Sequence, residues 1–235
     1  MDQNTDQNTA PQSYDREARG VRLVAVLLGL TVVSGLIDAV SYLGLGHVFV
    51  ANMTGNIVVL GFAAVGAPGF SVAHNLTSLG AFVVGVAAGG RIVARMDTGP
   101  RRTWARVALG AEALLVGGSA VIAFAAPPDA HATTYPLIAL TAFAMGLRNA
   151  TVRKLGVSNY STTTVVTMTM TGLIADSVSG DSPSPGSLRR GAAVVALLAG
   201  ACLGGWLTLH HGIGYPLLIA ALASAVFALT ASGRE

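Results

Sequence analysis

The chain has 235 residues, of which 52% are hydrophobic and only 11% are charged. A soluble domain carries about 25% charged residues, so this composition excludes an ordinary soluble domain and indicates several membrane-spanning helices. The formal net charge of +3 does not indicate a nucleic-acid partner, because the basic residues stand in short clusters beside apolar runs and act as topology signals. We expect the apolar surface of these helices to contact the lipid bilayer.

The first 20 residues are polar and contain the sequence DQNT twice, which predicts a disordered cytoplasmic tail over 1–20. The apolar run Arg22–Gly44 is too long for a signal-peptide core and is predicted to remain as the first membrane helix. Five further runs approach or reach the roughly 20 residues that span about 30 Å of hydrocarbon. They are Val72–Arg95, Trp104–Ala126, Thr134–Ala150, Gly191–Leu209 and Ile213–Ala231.

Two shorter pieces, Asn52–Gly66 and Thr162–Val178, are rich in Thr, Gly or Asn. If both crossed the membrane, eight basic residues would face six across it, whereas if neither crosses, all fourteen Lys and Arg lie on one side. The positive-inside rule favours the second arrangement, with both termini in the cytoplasm. The predicted fold is therefore an all-α polytopic membrane protein with about six transmembrane helices and two short broken or re-entrant segments.

One pattern occurs twice in the chain, and the offset between its copies rises only from 111 to 115 residues. The paired segments are GLIDA at 35–39 with GLRNA at 146–150, MTGN at 53–56 with VTMT at 166–169, and GVAAGG at 85–90 with GACLGG at 200–205. This predicts a duplication, with a first membrane repeat at 21–126 and a second at 134–231. Each repeat would hold three crossings, an odd number, so the two repeats are expected to be inverted relative to each other.

The first short piece carries a predicted helix start at membrane depth. Irregular backbone there must be buried in protein or line a wet cavity, because each unpaired N–H or C=O group costs several kcal/mol in lipid. Asn52 or Thr54 is well placed to cap a half-helix that begins near Gly55, and its free N–H groups would attract an anion. The alternative is that these residues are only caps and hydrogen-bond partners between helices.

The second short piece has two open conformations. Thr163, Thr167 and Thr171 would share one face of a helix. Thr167, Thr169 and Thr171 alternate with methionines, as in a strand. Both conformations offer hydroxyl groups to a ligand, and both allow a purely structural role.

Asp38 is the acid of the first membrane helix, with Ser41 and Tyr42 three and four residues further on along the same face. An ionisable group inside the membrane costs a few kcal/mol unless it is paired or hydrated, so Asp38 is predicted to carry a proton or hold a ligand. Its equivalent in the second repeat is Asn149. The alternative is a structural ion pair or hydrogen bond between Asp38 and Arg148.

Other polar residues carry weaker signals. Glu112 is expected to form a structural pair with Arg91 or Arg95 near the cytoplasmic face. His210 and His211 are adjacent and therefore lack the spacing of a two-ligand metal site. No metal, no cofactor and no enzymatic activity are predicted, because no metalloprotease, hydrolase, P-loop or dinucleotide-binding motif is present.

The two glycine motifs are predicted to pack helices closely together in lipid. Gly85, Gly89 and Gly90 are expected to meet Gly200, Gly204 and Gly205 across the pseudo-symmetry axis. A homo-oligomer through the same glycine-rich faces is the alternative.

The segments GLIDAVSY at 35–42 and FVANMTGN at 49–56 resemble the signature of the YoaK-like bacterial membrane proteins, a family of unknown function. This resemblance implies an integral protein of the bacterial inner membrane and supplies no substrate. The substrate-binding residues predicted from the pattern are Asp38, Ser41, Tyr42, Asn52, Thr54, Gly55, Asn56, Asn149, Thr163, Thr167, Thr169 and Thr171.

The paired breaks in matched halves favour a small-molecule transporter or permease, because such breaks mark a binding site near the membrane midplane. The expected solute is anionic, with proton coupling through Asp38. The alternative function is a non-transporting membrane partner or regulatory subunit of a complex.

Overall fold

The computed structural model describes residues 10–95, 101–126, 131–154, 171, 174 and 185–230. Within these residues the regular structure is helical and contains no strand. The helices are α1 (Ala10–Gly44), α2 (Met53–Ala64), α3 (Val72–Arg95), α4 (Arg101–Ala125), α5 (Thr134–Lys154), α6 (Pro185–His211) and α7 (Gly214–Thr230), with a 3₁₀ turn at His131–Thr133.

Four of these helices are long and apolar enough to cross a membrane. The spans are Ala25–Gly44 in α1, Val72–Ile92 in α3, Arg106–Ala125 in α4 and Gly191–His211 in α6. Helix α7 is apolar but has only 17 residues, and α5 carries Arg148, Arg153 and Lys154 within its 21 residues. An all-helical, multi-pass membrane protein is therefore confirmed.

Helix α1 begins earlier than its composition suggests. Residues Ala10–Gly20 are helical, where the polar sequence predicts disorder. Ala, Arg and Glu are good helix formers, so they extend the helix outward from its apolar part. Of the second short piece, Thr171 is helical and exposed, whereas Thr163, Thr167 and Thr169 lie outside the described residues.

The helices pack in pairs that link the two halves of the chain. Helix α1 packs against α6, α3 against α5, and α4 against α7. About 61% of the α1 span is buried but only 11% of the α6 span, so α1 runs through the interior and α6 lies at the outside. The apolar core is built from α1, α4, α5 and α7, with Ile37, Val116, Ile138 and Leu217 among its fully buried side chains.

Glycines bring the paired helices into backbone contact. A Cβ atom at Gly35 would collide with the carbonyl oxygen of Leu197 on α6, and a Cβ atom at Gly146 would collide with that of Phe82 on α3. Gly146 follows Gly35 by 111 residues and Leu197 follows Phe82 by 115. The two interfaces therefore repeat with the offsets of the sequence pattern.

The glycine motifs at 85–90 and 200–205 use the same two interfaces. Gly200 lies against the backbone of Val32 and Gly204 against that of Leu36. Because both numbers increase together, α1 and α6 run parallel. By the same reasoning α3 and α5 run parallel, since Gly85 lies against Phe143 and Gly89 against Leu147.

The prediction that the two glycine motifs meet each other is therefore wrong. Each motif packs on a helix of the other repeat, because a glycine needs only the backbone of its neighbour and no second glycine. Gly205 has the side chain of Leu43 beside it, whereas Gly90 has open space. A homo-oligomer through these faces stays a prediction, and Gly90 is the position that is open to it.

Candidate functional site

After α1 ends, the chain folds back along it. The N–H groups of Val50 and Ala51 donate to Asp38 Oδ1 at 2.9 and 2.8 Å, and the N–H of Asn52 points at the same carboxylate. Asp38 lies six residues before Gly44, which is roughly 9 Å along the helix axis. The segment 45–52, here called the descending turn, therefore reaches well into the bundle.

The descending turn begins with two residues in the left-handed region. Gly46 has φ of 85° and His47 has φ of 59°. Glycine adopts this conformation without steric cost, whereas a residue with a side chain needs support from its surroundings. His47 has that support, because its Nδ1 donates to the carbonyl oxygen of Gly69 at 3.0 Å.

Helix α2 starts where the descending turn ends. The Asn52 side chain accepts from the N–H of Gly55 at 3.1 Å and caps the helix, which confirms the predicted cap at this position. Thr54 is exposed and lies one turn before Val58 on the outer side. The Gly55 N–H is thus paired with the Asn52 side chain. The N–H groups of Val50 and Ala51, just before the helix, are paired with Asp38.

Asn56 joins the descending turn to α2 and α3. Its Oδ1 accepts from the N–H of Phe49 at 2.8 Å, and its Nδ2 donates to the Phe49 carbonyl at 2.6 Å and to Ser78 Oγ at 3.1 Å. Ser78 donates to the same carbonyl oxygen at 2.6 Å. Asn56 and Ser78 are fully buried, so one amide side chain satisfies backbone groups that no helix or strand would pair.

The residues before and after α2 lie close together. Besides the hydrogen bond between His47 and Gly69, the rings of His47 and Phe70 lie 5.5 Å apart, and those of Phe62 and Phe70 lie 5.6 Å apart. Helix α2 has 12 residues and is roughly 18 Å long. The chain thus returns to the end of α1 from which the turn descended.

A second polar group is the buried ion pair between α4 and α5. Arg148 Nη1 donates to Glu112 Oε1 at 3.1 Å, and the two side chains are 3% and 0% exposed. Arg148 also donates to the Leu30 carbonyl at 3.3 Å and to Ser34 Oγ on α1. Ser224 on α7 donates to Glu112 Oε1 at 2.9 Å, so this network joins α1, α4, α5 and α7.

The ion pairs expected from the sequence are therefore wrong. Glu112 pairs with Arg148 and not with Arg91 or Arg95, because α5 packs beside α4 while Arg91 is exposed and donates to its own helix at Ala87. The observed hydrogen bonds of Asp38 come from backbone N–H groups, and the ion pair of Arg148 is with Glu112.

The structure brings together Asp38, Asn52, Gly55 and Asn56 among the predicted substrate-binding residues. Ser41 lies in the same region, but its hydroxyl donates to the Asp38 backbone carbonyl of its own helix at 3.1 Å. Tyr42 stacks on Phe49 with ring centroids 4.8 Å apart and so packs on the descending turn. Asn149 is partly buried on α5.

Sequence reasoning missed three hydroxyl groups of the two networks. Ser34, Ser78 and Ser224 are each almost fully buried. The spacing of Ser34 carried a signal, since it stands one helical turn before Asp38 on the same face of α1. Ser78 and Ser224 carried none, because serine is common in membrane helices.

We expect Asn56→Ala to lower the free energy of unfolding by about 1–3 kcal/mol, because the partly buried Phe49 N–H loses its partner. The measurement is an SDS titration of the detergent-solubilised protein followed by circular dichroism. Ser119→Ala is the matched control, since Ser119 is also buried but donates only within its own helix, to Leu115. Equal losses for both variants would contradict the linking role of Asn56.

Apolar helices that enclose buried charged and amide side chains define a polytopic integral membrane protein. The chain belongs to the family described as protein of unknown function (DUF1275), whose model matches residues 26–230. It is also 35% identical over 147 residues to the UPF0700 transmembrane protein YoaK of Bacillus subtilis (strain 168). That match covers 63% of this chain and 64% of the relative, so it spans somewhat less than two thirds of the curated protein.

These similarities confirm the YoaK-like resemblance read from the two segments around Asp38 and Asn56. No solved structure matches the chain. Family membership thus fixes the class of protein, and the residues of the two buried networks are the candidates for its activity.

Proposed function

We propose that the protein is a small-solute transporter or permease of the bacterial inner membrane. The observation that carries this proposal is the burial of Asp38, Glu112 and Arg148 among the apolar spans, with 7%, 0% and 3% exposure. Charged residues at such depth are expensive and generally mark solute or ion pathways. The sequence prediction of two short broken segments in matched halves adds support, because this construction is frequent in transporters.

We further propose six crossings arranged as two inverted repeats, with both termini in the cytoplasm. The return of the chain after α2 supports a re-entrant first short piece, so that α1, α3, α4 and α5 are crossings one to four. Helix α6 runs parallel to α1, which fits a fifth crossing and not a sixth. This parity supports a second short piece that also does not cross, and it makes the repeats opposite in direction.

The solute in this proposal is an anion. Three successive backbone N–H groups, at residues 50–52, converge on the Asp38 carboxylate, and such converging amides favour anions. Asp38 acts as a tethered anion that fills this receptor in the solute-free protein. When Asp38 takes a proton from solution, its negative charge is lost and a solute anion can take its place, which couples anion to proton.

The test is proton movement in liposomes that contain the reconstituted full chain and an internal pH dye. Inward gradients of nitrate, sulfate or succinate are compared with gluconate as the reference anion. The wild type is expected to acidify the lumen with at least one of the three, and Asp38→Asn is expected to lose this acidification. Ser119→Ala is the control, because the buried Ser119 hydroxyl bonds only the backbone carbonyl of Leu115 on its own helix in this structure.

Acidification that persists in Asp38→Asn would exclude Asp38 as the coupling group. If no anion moves protons and none raises the melting temperature of the folded protein, the proposal of anion transport fails. That second result would favour the alternative function, a membrane partner or regulatory subunit that copurifies with other proteins.

A further inference from the structure

One oxygen of Glu112 is buried without a hydrogen-bond partner in the part of the chain that the structure describes. Oε1 accepts from both Arg148 and Ser224, at 3.1 and 2.9 Å, whereas Oε2 accepts from no group. The Glu112 side chain has no exposed surface. Burying a carboxylate oxygen without a hydrogen-bond donor costs free energy. The arrangement around Glu112 is therefore suited to change during function.

Arg148 is held at the meeting point of the two repeats. Its Nη2 donates to Ser34 Oγ and contacts the sulfur of Met145 at 3.0 Å. Ser34 and Met145 are 111 residues apart, the same offset that relates Gly35 and Gly146. The guanidinium group offers a planar set of donors that suits carboxylates and similar anions, and Glu112 occupies it in this structure.

The charged groups that face Glu112 within the described residues are few. Arg148 on helix α5 and the neutral Ser224 on helix α7 contact Glu112 directly. Asp38 on helix α1 lies one turn beyond Ser34 and interacts electrostatically with Arg148. Helix α3 touches α4 only slightly, and its Arg91 is exposed and bonds its own helix. Among the described residues the interior therefore holds two carboxylates and one guanidinium group. Glu112 hydrogen-bonds the guanidinium group, whereas Asp38 hydrogen-bonds the backbone N–H groups of Val50 and Ala51.

We infer that Arg148 is a second anion-binding station of the transport path and that Glu112 is the internal carboxylate that fills it in the solute-free protein. The inference rests on the proposed function. A solute anion binds the guanidinium group when Glu112 leaves it and takes one proton from solution at Oε2. Ser34 and Asp38 are one turn apart, roughly 6 Å of helix rise, so the two stations follow one face of α1.

The test uses the full chain in detergent, with nitrate as probe and gluconate at equal ionic strength as reference. Glu112→Gln removes the competing charge, so the nitrate concentration for half-maximal stabilisation is expected to fall by about tenfold or more, the factor for one charge-assisted hydrogen bond. The nitrate response of this variant is also expected to depend less on pH than that of the wild type, because Asp38 is then the remaining carboxylate of the two that takes up a proton. Ser119 is a buried serine on the same helix α4, and the nitrate response of Ser119→Ala is expected to equal that of the wild type.

Proton uptake on adding nitrate separates this inference from the role of Asp38. In Asp38→Asn the remaining uptake is assigned to Glu112, and it is expected to disappear in Asp38→Asn with Glu112→Gln. If Asp38 is only structural, Asp38→Asn takes up as many protons as the wild type while Glu112→Gln alone takes up none. The measurements can thus exclude Asp38 as the coupling group and still support anion binding at Arg148.

A nitrate response in Glu112→Gln that equals the wild type would overturn the inference. Should Glu112→Gln not fold, Ser224→Ala replaces it, because losing the hydroxyl donor weakens the hold on Glu112 Oε1 and is expected to strengthen nitrate binding. An unchanged nitrate response in a folded Ser224→Ala variant would likewise overturn the inference.

Discussion

Replacing Arg148 with Met is expected to lower the free energy of unfolding by about 3–5 kcal/mol, the cost of removing one partner from a buried ion pair. Met keeps most of the apolar volume, so the loss reports on charge and hydrogen bonds. Glu112 Oε1 would then accept a hydrogen bond from Ser224 but none from residue 148. Ser34 Oγ and the Leu30 carbonyl would each lose the donor that Arg148 provides. The measurement is an SDS titration of the detergent-solubilised protein followed by circular dichroism.

The second substitution Glu112→Gln in the Arg148→Met background is the decisive control. It removes the charge that the first change leaves unpaired, so most of the lost stability is expected to return. Arg153→Met provides a comparison on the same helix, because Arg153 is exposed and is expected to change stability by less than about 0.5 kcal/mol. A double variant no more stable than Arg148→Met would show that Arg148 acts mainly through its contacts with α1.

Local features of the descending turn could be predicted from the sequence because they depend on neighbouring residues. Asn52 caps the helix three residues before Gly55, which is the ordinary reach of a capping side chain. The run Val72–Arg95 coincides with α3, because its polar start and basic end limit an apolar segment. The capture of Asp38 by residues 50–52 could not be predicted, since it requires the chain reversal at Gly46 and His47.

The pairing of Glu112 could not be predicted because it is decided by which helices are neighbours. Arg91 and Arg95 are nearer to Glu112 in sequence than Arg148, but the packing of α4 against α5 and α7 places Arg148 beside it. The repeat offsets contained part of this information. They predicted that two interfaces would be alike, but not that each glycine motif would pack on α1 or α5 of the other repeat.

Gly35→Ala and Gly146→Ala are expected to destabilise the protein by similar amounts, each by about 1–3 kcal/mol, the range for overpacking a close contact. In each variant the new Cβ atom meets a backbone carbonyl, of Leu197 or of Phe82, and a backbone cannot rotate away as a side chain can. The paired helices would have to separate. The measurement is again the SDS titration, with the helical signal as the readout.

The control is Gly80→Ala, because a Cβ atom at Gly80 on α3 meets nothing within 4 Å. Alanine is the better helix former by about 1 kcal/mol, so this variant is expected to equal or exceed the wild type in stability. If the α1–α6 and α5–α3 interfaces are equivalent, Gly35→Ala and Gly146→Ala lose similar amounts of stability. Gly80→Ala then loses none. A large loss at only one of the two would contradict that equivalence, because the interface that tolerates the methyl group would not depend on backbone contact.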